Sequence, residues 1–393
     1  MTTGLRDATD ADLRDWDARA VDGPGGSVWQ SLAWGAHAAE AGWKIRHLAY
    51  DDGLPLLVLE RRWPFLPGGS AYLPRGPIAA GEDAVHTVDR LVVAAEHLAA
   101  SGIDVIASDA EIPAASGYPA RLQAAGFRPI EEIHPSRHTM SASLEDGAPG
   151  AWDRIAKTTR QRIGSARRRG LVVRRFDARA VTGGMPRPPD SAPDPAEGVA
   201  APPPQRLEAA ARAALGPFHE LLVETGTRRG FTIGSRDGAV AWWLAALRAG
   251  HLAYLEVRDV APTDDWEEPA GTLLGGAILF REGDRLTYAH SGDRAVLRAA
   301  HPGVIHLVLW EAVRIATDEA RSELDLGGVD VAGARGLPVP GDRMWGLYEF
   351  KRAFGGRWVE LAGTYERAAR PRRYAAGRAL AALARRVPGA GDG

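Results

Sequence analysis

The chain contains no cysteine. That excludes a disulfide framework, thiolate zinc sites, iron–sulfur clusters and a cysteine nucleophile. Lysine is nearly absent too. Lys44, Lys157 and Lys351 are the only three among 48 basic residues, which leaves 45 arginines, and asparagine does not occur at all. No apolar run approaches the ~18–20 residues of a membrane span. Residues 1–22 are charged and lack the ~7–15-residue apolar core of a secretion signal, so a soluble cytoplasmic protein is expected. Net charge is −2, from 48 basic against 50 acidic residues, so any basic site must be a local patch. No Gly-x-x-x-x-Gly-Lys-Ser/Thr string occurs, which argues against a phosphate-binding loop of the nucleotide hydrolases. The 11 histidines lack metal-ligand spacing: His134 and His138 are separated by Pro135, and His301 and His306 flank Pro302. No metal and no cofactor are expected.

What is present is α/β material. At ~150 residues per domain, 393 residues suggest two to three domains. Residues 29–41 read as a helix, 47–50 and 54–62 as a hairpin around Asp51-Asp52-Gly53, and 71–77 as a strand. Leu91, Ala94, Ala95 and Leu98 share a helical face within 86–101, and IDVIA at 103–107 follows as a short buried strand. Residues 151–170 read as one helix opening a second unit, so the first domain is expected over 1–150 and the second from 151 onward. Eight of 27 prolines fall within 186–204, and 178–206 reads as a disordered insertion, too poor in apolar surface to offset its ordering entropy. Helix, hairpin-like strands, helix, short strand and loop then follow in the order of the first half, which suggests an internal duplication.

Three features carry chemistry. Where arginine has replaced lysine almost everywhere, a surviving lysine points to a need for its compact ammonium group. Lys351 sits in WGLYEFKRAFGG, after a glycine-rich approach through Gly327, Gly328, Gly333, Gly336 and Gly341, and could stabilise an oxyanion there. As a core-helix residue it would merely snorkel. Asp109 directly follows the IDVIA strand, where loops of α/β folds carry functional groups, and otherwise would cap a turn. Nine basic and no acidic residues lie between Arg154 and Arg175, and seven arginines crowd 367–386, which favours a phosphate-rich partner. Lys157, Arg160, Arg167, Arg168, Arg169, Arg372 and Arg373 are the candidates for that contact. Aromatics are not interleaved, which argues against single-strand base stacking.

The strings YLPRGP at 72–77, SDAEI at 108–112, KTTRQRI then ARRRG at 157–170, ETGTRRGF at 224–231, WEAVRIA at 310–316, LDLGGV at 324–329 and YEFKRAFGG at 348–356, in this order, resemble the FemABX aminoacyltransferases. The resemblance implies two tandem GNAT-like α/β domains with mixed sheets. Residues 1–150 with 352–393 would form the first, which binds the acceptor, and 151–351 the second. No heptad segment is present, so no coiled-coil arm is expected. It also implies transfer of an amino acid from charged tRNA to an amine of a cell-wall precursor peptide, as in peptidoglycan bridge formation, with peripheral contact to the inner membrane face through a lipid-linked acceptor. Lys351 matches the family lysine assigned to the transition state, and Asp109 the aspartate beside the acceptor amine. Arg75 matches a basic residue of the family before Gly-Pro and Arg228 a family arginine before Gly-Phe, and Arg236, His290 and Tyr348 complete the substrate-binding candidates. The family lysine after the first-helix tryptophan is missing, since Gly35-Ala36-His37 follow Trp34, and TIGSRDGAV at 232–240 keeps only Arg236. A soluble peptide or metabolite is therefore an alternative acceptor. An acyl-CoA donor lacks its pyrophosphate loop, and a tRNA-binding module with a decayed site would not be expected to retain both Asp109 and Lys351.

Overall fold

The computed structural model describes residues 4–79, 84–133, 137–179, 199–261, 263, 265–268, 270–329 and 336–384. In chain order the strands are β1 (Leu5–Asp7), β2 (Lys44–Tyr50), β3 (Pro55–Arg62), β4 (Gly69–Leu73), β5 (Val105–Ser108), β6 (Arg128–Pro129), β7 (His138–Ser143) and β8 (Val173–Asp177). There follow β9 (Val199–Ala200), β10 (Leu252–Arg258), β11 (Leu273–Glu282), β12 (Arg285–Asp293), β13 (Glu323–Asp325), β14 (Arg357–Glu360) and β15 (Tyr365–Ala368). The chain divides into two units, Met1–Arg137 with Val359–Gly393, and His138–Trp358. The first boundary thus falls after 137 instead of 150, because β7 pairs with β13 and so enters the second sheet. The second falls after 358 instead of 351, because Phe354 and Trp358 pack on the second core.

In the first unit the sheet order is β1-β2-β3-β4-β5-β15-β6. β2, β3 and β4 form an antiparallel meander, and the helix Ala84–Ala100 crosses over to lay β5 parallel to β4. Val88, Leu91, Ala94, Ala95 and Leu98 bury one face of that helix on the sheet, as their spacing requires. The strand that flanks β5 on its other side, β15, comes from the C-terminal segment.

The second unit repeats this path. β10, β11 and β12 form the meander, the helix Val304–Asp318 crosses over, and β13 lies parallel to β12. Its eight strands run β14-β7-β13-β12-β11-β10-β8-β9. Two tandem GNAT-like units of mixed sheet are therefore the architecture. Among the described residues no helix exceeds the 23 residues of Leu207–Arg229, and none builds a coiled-coil arm.

Two local expectations change. The single helix over 151–170 is two, Gly147–Arg154 and Lys157–Arg168, because Ile155 turns extended and buries its side chain in the core. Of the proline-rich 178–206, residues 180–198 lie outside the described residues, as do His134, Gly333, Arg385 and Arg386. Its end is ordered: Val199 and Ala200 pair in parallel with Val173 and Arg174, and Pro204–Arg206 form a 3-10 turn. Val199 packs against the second core, which supplies the apolar contact that the composition had suggested was missing.

Candidate functional site

In the first unit the β4–β5 register, Leu73 opposite Ser108, sets Pro74-Arg75-Gly76 beside Asp109 at the C-terminal ends of two parallel strands. The turn is held at every step. Gln30 Nε2 donates to Pro74 O at 2.6 Å, Arg75 N–H donates to Asp109 Oδ1 at 2.7 Å, and Ser108 Oγ donates to Gly76 O at 2.6 Å. Arg75 adopts φ +54°, a conformation that persists in a side-chain-bearing residue only where surrounding contacts over-determine it. Tyr72 Oη donates to Asp109 Oδ2 at 2.9 Å, and the Arg75 guanidinium lies 3.6 Å from the same oxygen and 3.3 Å from Glu111 Oε1. Burial, followed by the Asp109 charge, raises the Tyr72 pKa, so that hydroxyl stays a donor. Asp109 is only 2% exposed, against the solvent-open strand end that its position suggests. The carboxylate anchors a strained arginine turn through the Arg75 N–H and the Tyr72 hydroxyl.

In the second unit Lys351 lies on the helix Trp345–Arg352 and is buried. Its Nζ donates to Gly327 O at 2.9 Å and to Gly328 O at 2.7 Å. Gly327 sits at φ +72° just after β13, and its N–H donates to Asp325 Oδ1 at 2.7 Å. Thr139 Oγ1 donates to the same Asp325 oxygen. The lysine therefore does not snorkel: its ammonium is fixed against the carbonyls of the glycine loop that closes the crossover.

A cavity of ≈ 620 Å³ opens in the second unit. Six arginines line it, Arg162, Arg228, Arg229, Arg294, Arg298 and Arg343, against one carboxylate, Asp293. Arg298 takes Asp293 in a two-pronged pair at 2.6 Å each, and Arg228 lies 3.6 Å from it. The N-terminus of Val304–Asp318 also faces the cavity, with Gly303 as a cap that offers no side chain. Only glycine fits there, at φ +90°, since a Cβ would stand 2.5 Å from Arg162 O. Such a terminus carries unsatisfied N–H groups and a partial positive charge, which favours anions. Thr225 Oγ1 and His306 Nδ1 line the cavity too, buried without a hydrogen-bond partner among the described residues. Arg162 Nη1 lies 3.2 Å from His306 Nε2, so the ring accepts there and carries its proton on Nδ1. Leu347 and Phe350, from the helix that carries Lys351, close one side. The cavity is built to take an anion.

No protein-family model matches the chain, and no curated protein matches it. Among solved structures it is similar to FemX, with a TM-score of 0.70 over 95% of this chain and 99% of that one, at 18% identity. The fold is that of FemX. A conserved protein of unknown function from Bacteroides thetaiotaomicron VPI-5482 shares it with a TM-score of 0.53 at 12% identity, covering 93% of this chain and 98% of that one. At these identities the likeness is one of fold.

On this FemX-like fold the expected site residues separate. Arg75 meets Asp109, and Arg228 lines the arginine cavity. Arg236 does not line it: it begins the helix Arg236–Arg248, largely exposed, 4.0 Å from Glu220 Oε1. His290 lies on β12 beside Trp243, and Tyr348 packs between Trp345 and Trp358. Neither lines the cavity. Lys157 and Arg168 are exposed on the basic helix, Arg160 donates to Trp152 O, and Arg169 to Ala300 O. Arg372 is exposed, but Arg373 is committed to the buried Asp104 at 2.6 Å. Sequence reasoning counted Arg162 only within the basic run, and missed Tyr72, Glu111, Arg229, Arg294, Arg298, Arg343, Thr225 and His306. The cavity residues come from five separated stretches with no shared period, so no local signal marks them. Among the described residues no cluster of His, Asp or Glu could hold a metal.

Burial pushes His290 and His306 down to about 4, with Arg162 adding to the effect at His306. The unfolded chain protonates these rings near pH 6.5 while the folded chain does not, so stability present above that pH is lost as pH falls toward 4. Unfolding free energy should drop by at most about 1.4 kcal/mol per pH unit for each histidine. Urea titrations at pH 7 and pH 5 check this. His290→Phe should flatten the dependence, and an unchanged slope would rule the burial argument out.

Proposed function

We propose that this protein is an aminoacyltransferase using charged tRNA as donor and an amine of a peptidoglycan precursor peptide as acceptor, working in the cytoplasm. The observation that carries the reading is the arginine cavity with a helix N-terminus at its wall, on a FemX-like fold. Phosphodiesters at the tRNA 3′ end would occupy it. The helix Lys157–Arg168 supplies Arg162 to the cavity and exposes further basic residues for the acceptor stem.

In the reaction the acceptor nitrogen attacks the aminoacyl ester carbonyl, a C–N bond forms, and the ester C–O bond breaks. The amine loses a proton and the leaving ribose oxygen gains one. The ester is already activated, so nothing else is consumed. Asp109 would accept an N–H of the amine and take the proton as the bond forms. Lys351, held rigid by two carbonyls, would place fixed positive charge toward the developing oxyanion. A soluble peptide is the second acceptor class, favoured by the position of Arg236 outside the cavity.

Purified protein, given charged tRNA and a stem peptide, should form a product heavier by one aminoacyl residue. Ribonuclease pretreatment should abolish it, and acetyl-CoA should not replace the tRNA. Arg229→Ala and Arg298→Ala should raise KM for charged tRNA and leave KM for the peptide unchanged. Each should also lower the salt slope of tRNA binding by about 0.7–0.9. Ribonuclease-resistant transfer from an acyl-CoA would sink the reading.

A further inference from the structure

The tip of the β3–β4 hairpin reads Trp63-Pro64-Phe65-Leu66-Pro67. Phe65 is 97% exposed and stands at φ +59°, the left-handed region that bulky side chains avoid. An exposed phenylalanine in a strained conformation contributes nothing to this unit's core, yet the tip beneath it is rigidly built. Trp63 Nε1 donates to the buried Asp104 at 2.8 Å, and its ring stacks on Tyr374 with centroids 6.2 Å apart. Tyr374 belongs to the C-terminal helix Pro371–Ala384, whose Gly377 lies so close that a Cβ would stand 2.3 Å from the Trp63 ring. Pro64 and Pro67 remove two backbone donors from the tip, which lowers the cost of taking it out of water.

The surroundings are basic. Arg61 and Arg62 are exposed at the end of β3, with Arg61 over the Trp43 ring at 4.3 Å. Arg372 and Arg378 are exposed on the bracing helix, Leu383 of the same helix is 59% exposed, and no acidic residue occurs from 371 to 391.

We propose that this face of the first unit docks on an anionic lipid surface, with Phe65 inserted below the headgroups and the arginines on lipid phosphates. An aromatic tip enters the interface and a collar of arginines meets the negative surface potential, which together supply the two contributions that stable peripheral binding needs. A protruding apolar tip, with exposed arginines at the end of its strand and on its bracing helix, suits a bilayer better than a folded partner, which would need a concave complement. The inference stands independently of the transfer reaction.

Sedimentation with vesicles tests it on the full chain. Binding is expected to phosphatidylglycerol–phosphatidylcholine vesicles at low salt and not to pure phosphatidylcholine. Arg62→Ala and Arg378→Ala should each weaken it about fivefold. Phe65→Gly should weaken it about tenfold or more while leaving the thermal midpoint unchanged or higher, because glycine adopts φ +59° without strain. Val296→Ser, at an 85% exposed side chain of the second unit, should bind as the unaltered protein does. No binding to anionic vesicles overturns the proposal. So does equal binding by the Phe65→Gly protein, or a loss in Val296→Ser as large as that at Phe65, which would mean non-specific adsorption.

Discussion

Lys351→Arg is expected to lower kcat by about 10²–10³-fold, the size seen on losing one oxyanion donor, with little change in acceptor Kd. With 45 arginines against three lysines, exchange to arginine is tolerated widely in this chain, so a role in charge alone should tolerate it here. The geometry is stricter. A compact ammonium sits 2.9 and 2.7 Å from the Gly327 and Gly328 carbonyls in a nearly sealed place. Guanidinium is longer, planar and broader, so it would push those carbonyls aside and carry its charge past the present Nζ position. Lys351→Met removes the charge and should cost at least as much. Single-turnover transfer and acceptor binding by calorimetry separate the chemical step from affinity. Near-normal turnover in the arginine variant would show that the ammonium only anchors the loop.

Asp109→Asn is expected to lower turnover by about 10²–10⁴-fold, the range of a positioned general base. The amide keeps one oxygen for the Arg75 N–H. It turns an NH₂ toward the Tyr72 hydroxyl and the Arg75 guanidinium, which lies 3.6 Å from Oδ2 in the native protein. A modest stability loss of about 1–3 kcal/mol should follow from that mismatched buried group. Arg75→Ala separates the two jobs of the carboxylate, because it releases the ion pair and leaves the base. It should lose clearly less turnover than Asp109→Asn. If the two variants lose turnover equally, Asp109 acts only by holding the arginine turn, and the proton goes elsewhere.

The sequence by itself determined the chemistry that is absent, the α/β alternation and the two strings that hold Asp109 and Lys351. These follow from composition and from local rules, since residue spacing along one helix or strand decides which face is buried. Leu91, Ala94, Ala95 and Leu98 were legible as a core face for that reason, and so was the strand before Asp109. The break at Ile155 was not, because a core position overrode helical propensity. What only the tertiary structure decided is whom each functional group meets. Asp109 finds the Arg75 amide 34 residues away and the Tyr72 hydroxyl 37 away through the β4–β5 register. Lys351 reaches carbonyls 24 and 23 residues back because its helix packs on the second core. Arg373, which belonged to a basic run by composition, is joined to Asp104 at a separation of 269 residues. The arginine cavity gathers five stretches of chain around one helix N-terminus. Sheet register and crossover packing act between residues far apart in sequence, and they turn scattered arginines into a site where composition showed only a nearly neutral chain.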